Sequence, residues 1–197
     1  MSHGLNIENI PGTVLPMAKM DGATGLDFLN KVFFITDGIM LAQIREITGV
    51  DGTTLQNWLK RGWVPKPNNK CYGREHLARI LIINMMRDTM QLSRVDFVLR
   101  YINGDIDNCE DDIIEESLLY DYICRVMMTI SDENSTGFNA IAEVVDSVLE
   151  GYTEKYSGAK RRLSTGLTII VTSYYASLVK AVADGILDEL DDSRRRR

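Results

Sequence analysis

Apolar residues recur at three- and four-residue spacings through most of the chain, and strand-like alternation is confined to one short stretch. Leu26, Leu29, Val32 and Phe33 form a short helical stripe after a segment punctuated by Gly and Pro, which reads as an arm or loop. The middle region alternates short helices with Gly and Pro. Residues 40–48 predict one helix, ended by Gly49, which can take the left-handed conformation of a tight turn. Asp51 or Thr53 then caps a second helix running to Arg61, with Leu55 and Trp58 on its inner face. A third helix opens at Gly73 and runs to about Asp88. Beyond Gly104 the helices lengthen. Ile114, Leu118, Tyr122, Val126 and Ile130 mark one, after an acid-rich first turn that suits the helix dipole. Phe138, Ile141, Val145, Val148 and Tyr152 mark another, with Ser135 or Thr136 as its cap. Leu163, Leu167, Ile170, Val171, Tyr174, Leu178, Val182, Ile186 and Leu190 mark a third, long one. The pattern predicts a mainly α fold.

Charge divides the same chain differently. Its 197 residues carry a formal net charge of −6, which on its face argues against nucleic acid as a partner. Residues 1–38 are net −2, residues 39–103 net +5 and residues 104–197 net −9, so an acidic chain contains a basic segment. The change is abrupt: eight acids and no base lie over 105–121. A sign change of this kind marks a domain boundary, placed at Gly104. The division is an N-terminal arm and short helix over 1–36, a basic domain over 37–104 and a helical effector or dimerisation domain over 105–197. Arg194, Arg195, Arg196 and Arg197 read as a disordered tail.

Within the basic domain, two short helices meet at a glycine turn plugged by Val50, which is a helix-turn-helix signature. Thr54, Gln56, Asn57, Lys60 and Arg61 are left for the outer face of the second helix. Gln and Asn amides can pair with adenine edges in the major groove, while Lys and Arg meet phosphates. The run from Gly62 to Tyr72 reads as a two-stranded wing, with Lys66 and Lys70 on either side of its tip and Arg74 opening the next helix. The stretches ITGVDGTTLQNWLKRGWVPKP, CYGREHLARI and MMRDTMQLSRVDFVL resemble the DNA-binding domain of the MerR-type regulators. More closely, residues 72–78 (Tyr-x-Arg-Glu-His-Leu-Ala) resemble the bacterial family called domain of unknown function 1836. The resemblance covers about residues 36–104 and implies a winged helix-turn-helix. Two departures are Arg45, where the MerR type carries a small residue, and a wing without an arginine-rich pattern.

Other chemistry is sparse. Cys71, Cys109 and Cys124 make neither a disulfide framework nor a zinc ribbon. His3 and His76 lack a catalytic or metal partner pattern, and Trp58 and Trp63 read as packing aromatics. Asp105, Asp107 and Glu116 fall at EF-hand positions, but Cys109 and Glu110 occupy the fifth and sixth, where glycine is required at the sixth. No phosphate-binding loop is present, so no cofactor or metal is assigned and the chain is not read as an enzyme. Residues 163–179 are uncharged but short for a membrane span, and predict a buried or interface helix. Without a signal peptide pattern, the location reads as cytoplasmic. Tyr120, Tyr122, Tyr152, Tyr156, Tyr174 and Tyr175 suit either core packing or a small-molecule effector pocket.

Together these readings predict a DNA-binding transcriptional regulator. It would be a homodimer, since two half-sites add specificity to one recognition helix. Its partner would be double-stranded DNA, with bases read in the major groove and the wing on the backbone. The reading from another class is a protein-interaction adaptor, in which the winged-helix fold binds a protein rather than DNA and the acidic domain serves as the adaptor.

Overall fold

Capping side chains set where the first helices begin. In the computed structural model, which describes residues 7–19, 23–106, 108, 110–133 and 138–195, a single 3₁₀ turn spans Met17–Lys19 and eight α-helices follow. These are α1 (Gly25–Val32), α2 (Leu41–Thr48), α3 (Gly52–Lys60), α4 (Arg74–Met86), α5 (Leu92–Asn103), α6 (Glu116–Glu133), α7 (Phe138–Val148) and α8 (Ala159–Arg195). Thr24 and Asp27 close a reciprocal capping box at α1: the Asp27 N–H donates to Thr24 Oγ1 (3.3 Å) and the Thr24 N–H to Asp27 Oδ2 (2.9 Å). Asp51 caps α3 by accepting from the Thr54 N–H at 2.9 Å. Gly49 ends α2 at φ 70°, a conformation that costs glycine nothing and a β-branched residue a good deal.

The mainly α character is as the periodicity predicts, but the wing is not there. Among the described residues no strand forms, and the segment after α3 holds one isolated bridge, Asn68↔Cys71. Its chemistry explains this. Pro65 and Pro67 lack the N–H a ladder needs, while Asn69 (φ 50°) and Lys70 (φ 62°), both in the left-handed region, make the two-residue turn that closes the lone Asn68↔Cys71 bridge. The chain therefore makes a tight turn, and Tyr72 pairs with Ile39 in the loop before α2, with both N–H···O distances 2.9 Å. A winged helix-turn-helix, as a strand-built unit, is absent.

The core lies among the later helices. α4 packs against α6 and α8, α5 against α8, and α6 and α7 against each other and against α8. These elements feed one cluster of buried side chains, to which Leu81, Leu99, Leu119, Val145 and Leu167 all belong. Packing thus crosses Gly104, the position where the charge changes sign. The loop after Gly104 is tied at its ends: the Asn103 amide donates to the Ile114 carbonyl (2.8 Å) and accepts from the Ile114 N–H (3.3 Å). The N-terminal arm is packed in too. Ile10 is buried, Tyr120 Oη donates to the Pro11 carbonyl (2.9 Å), and Asn84 Nδ2 donates to the Gly12 and Thr48 carbonyls. The Ser135 or Thr136 cap, Cys109, Asp107, His3, Arg196 and Arg197 lie outside the described residues.

One buried ion cluster locks the basic segment to the acidic one. Arg79 on α4 is 3% exposed; it donates from Nε to the Trp63 carbonyl (2.7 Å) and from Nη1 to Glu116 at the start of α6. Asp96 lies 3.8 Å away and also takes Arg100, which reaches Asp105 at 3.5 Å. Two of the bases that make residues 39–103 net positive are therefore neutralised by carboxylates, one of them inside the protein.

Candidate interaction surface

The residues picked out as DNA contacts occupy two places. Gln56, Asn57, Lys60 and Arg61 share the exposed face of α3, opposite the buried Leu55 and Trp58, and Thr54 is half-buried with its hydroxyl on Asp51. Arg61 lies 5.3 Å from the centroid of Trp63, a cation–π contact that anchors it on its own chain. Lys66 and Lys70 are exposed on the turn that replaces the wing. Arg74 stands apart at the start of α4, beside a shallow depression it shares with Phe33, Thr36, Asp37 and Glu75. No strand-built wing flanks α3, so the regulator reading, its MerR likeness and its double-stranded DNA partner are overturned. The homodimer rested on pairing two half-sites and loses that ground with them.

The remaining chemistry is structural. Burial pushes the Cys124 thiol well above its usual range, and it packs under α1, where a Cβ on Gly25 would meet its Sγ at 2.8 Å. Burial likewise raises Tyr120 and carries Tyr174 up to about 12, so both are neutral core phenols. Tyr152 donates to the Ile113 carbonyl at 2.9 Å. His76 is half-buried near Tyr72, and burial lowers its proton affinity. Among the described residues no group of three or more His, Cys, Asp or Glu side chains is placed to hold a metal ion.

What the residue-by-residue reading missed is on α8. Its first half is a core helix: Leu163, Leu167, Ile170 and Val171 are fully buried. Gly166 fits so closely that a Cβ there would meet Ile102 Cγ1 at 2.4 Å. Arg162 donates to the Ile102 carbonyl near the end of α5 (2.9 Å), and Thr89 Oγ1 donates to the Ser173 carbonyl (3.0 Å). From Val179 onward nothing covers it: every residue over 179–195 is exposed. At 1.5 Å per residue this is about 25 Å of helix extending past the bundle. It includes Arg194 and Arg195, which continue the helix rather than forming a loose tail. Among the described residues α8 is the one helix long and apolar enough to cross a membrane, and its apolar stretch packs against α4, α5, α6 and α7.

The apolar row does not stop where burial stops. Tyr174, Leu178, Val182, Ile186 and Leu190 recur every four residues, whereas the helix turns every 3.6, so the row drifts about 40° per step and about 160° in all. Tyr174 is 7% exposed, while Val182 and Ile186 are each 57% exposed and Leu190 58%. The result is a second stripe on a different side, Tyr175, Val179, Val182, Ile186 and Leu190, spaced four, three, four and four apart. Its first three intervals follow the heptad pattern of a helix seam. Beside it are the small residues Ala176, Ala183 and Gly185. The line that faced the core now carries Asp188 and Asp192. At the root of this segment a cleft of about 480 Å³ opens between the arm (Glu8, Asn9, Thr13), the end of α4 and the turn after it (Asn84, Asp88), and α8 (Ser177, Val182).

Comparison with known proteins adds one relation. Residues 26–123 match the family described as Domain of unknown function (DUF1836), a stretch running from α1 across Gly104 into α6. No curated protein matches the chain, and no solved structure does. The likeness is to that family's model over residues 26–123.

Proposed function

We propose that the protein is a protein-interaction adaptor without enzymatic activity, in which a helical body holds out the end of α8 for a partner. The observation that carries this reading is the uncovered stripe of Val179, Val182, Ile186 and Leu190 on a helix rooted in the core. A lone helix of this length is marginal in water, because its nucleation is unfavourable and most helical stability comes from packing of an apolar face. Exposed apolar side chains elsewhere, such as Phe34 and Ile35 after α1 or Phe97 and Tyr101 on α5, occur in ones and twos rather than as a stripe. The absence of a wing favours an adaptor over a regulator.

The test is crosslinking in the cells that make the protein, from a photoreactive residue at Ile186, with the same residue at Gln56 on α3 as the control. The adaptor reading expects a discrete protein adduct from Ile186 that disappears when Val182→Glu is added, with the circular dichroism of the body unchanged. If no discrete adduct forms from Val179, Val182 or Ile186, the reading is wrong.

A further inference from the structure

We propose that the partner of the α8 extension is a basic amphipathic helix of another protein, lying along the stripe with its lysines or arginines toward the acidic side of α8; this rests on the adaptor reading. Three observations converge on it. The apolar stripe has the three-and-four spacing that packs against a second helix, and Ala176, Ala183 and Gly185 beside it leave room for close approach. The same segment is acidic: over 179–195 it holds Asp184, Asp188, Glu189, Asp191 and Asp192 against Lys180, Arg194 and Arg195, net −2, and both arginines lie at its far end. That one lysine is already paired with Asp184 at 2.7 Å, which holds its ammonium charged. The cleft at the root of the helix repeats this sign, its charged lining being Glu8 and Asp88 with no lysine or arginine.

These charges decide between occupants. A second copy of the chain would bring another segment of net −2 against this one, its acids again clustered over 184–192. Like charges juxtaposed across an interface are costly, and opposite ones select the partner and speed encounter. A basic helix meets both requirements at once. Its apolar face covers Val179, Val182, Ile186 and Leu190, and its cations reach Glu189 and Asp192 beside the stripe and the acids of the root cleft.

The experiment uses the full chain and two synthetic three-heptad peptides with the same Ile and Leu seam, one with Lys and the other with Glu at the flanking positions. Binding is read by fluorescence anisotropy, and sedimentation of the protein alone is measured at the same concentrations. The lysine peptide is expected to bind at least about tenfold more tightly than the glutamate peptide, with affinity falling as salt rises. Ile186→Glu should abolish binding. Glu189→Gln combined with Asp192→Asn should weaken the lysine peptide alone and leave the seam intact. Equal binding of the two peptides, or a dimer in sedimentation that Ile186→Glu dissolves, overturns the basic partner while leaving a protein-binding stripe. No binding of either peptide, together with no adduct from Ile186 in cells, removes the adaptor reading as well.

Discussion

The two halves of α8 are one continuous helix with opposite fates. The buried residues of α8 all lie before Leu178, whereas every residue over 179–195 is exposed. Both halves hold aliphatic residues, but residues 163–179 carry no charge and residues 180–195 carry eight. The direction of the apolar row differs as well. In the first half the apolar side chains share the line that meets α4, α5 and α6, and in the second they have drifted away from it while aspartates take their place. Whether an apolar residue becomes core depends on where its side chain points as much as on its chemistry.

The strongest way to break the buried half is to remove its charge lock. Arg79→Met leaves the Glu116 carboxylate, only 13% exposed, without its cation, which should cost about 3–5 kcal/mol in urea unfolding. Next come matched truncations in the two halves. Leu167→Ala should cost about 2–5 kcal/mol, whereas Ile186→Ala should fall within about 0.5 kcal/mol. A loss of more than about 2 kcal/mol at Ile186 would mean the extension folds against its own body, and the contrast would collapse. The smallest effect concerns pH. Burial lowers the proton affinity of His76 in the folded state, so its neutral form is the one the fold favours. That contribution is complete above the ordinary histidine range and is lost as pH falls through the lower, folded value. The midpoint of thermal unfolding should therefore drop between about pH 7 and pH 5, and the drop should shrink in His76→Gln.

Much of the fold was legible because its signals are local. The turn glycine at 49, the Asp51 cap and the apolar spacing of the later helices each predict structure from neighbours within a few residues. The wing failed for an equally local reason: Pro65 and Pro67 in so short a segment remove the donors a hairpin needs. The charge map failed for a non-local one. Arg79 and Glu116 are 37 positions apart, so a count of charges along the chain took a buried pair as a positive surface and a negative one. The candidate site was in plain view as the spacing of Tyr174, Leu178, Val182, Ile186 and Leu190. Read as one stripe, it predicts a long core helix; read with its drift, it predicts two faces.

The amide of Asn103 has a consequence for how this chain can vary. By taking both backbone groups of Ile114, it joins the end of α5 directly to the approach of α6. The entropy of closing a loop rises only slowly with its length. The exposed part of the acidic connector is therefore where a change of length should cost least, and a reporter placed at the exposed Asn108 should leave the helical register on both sides undisturbed.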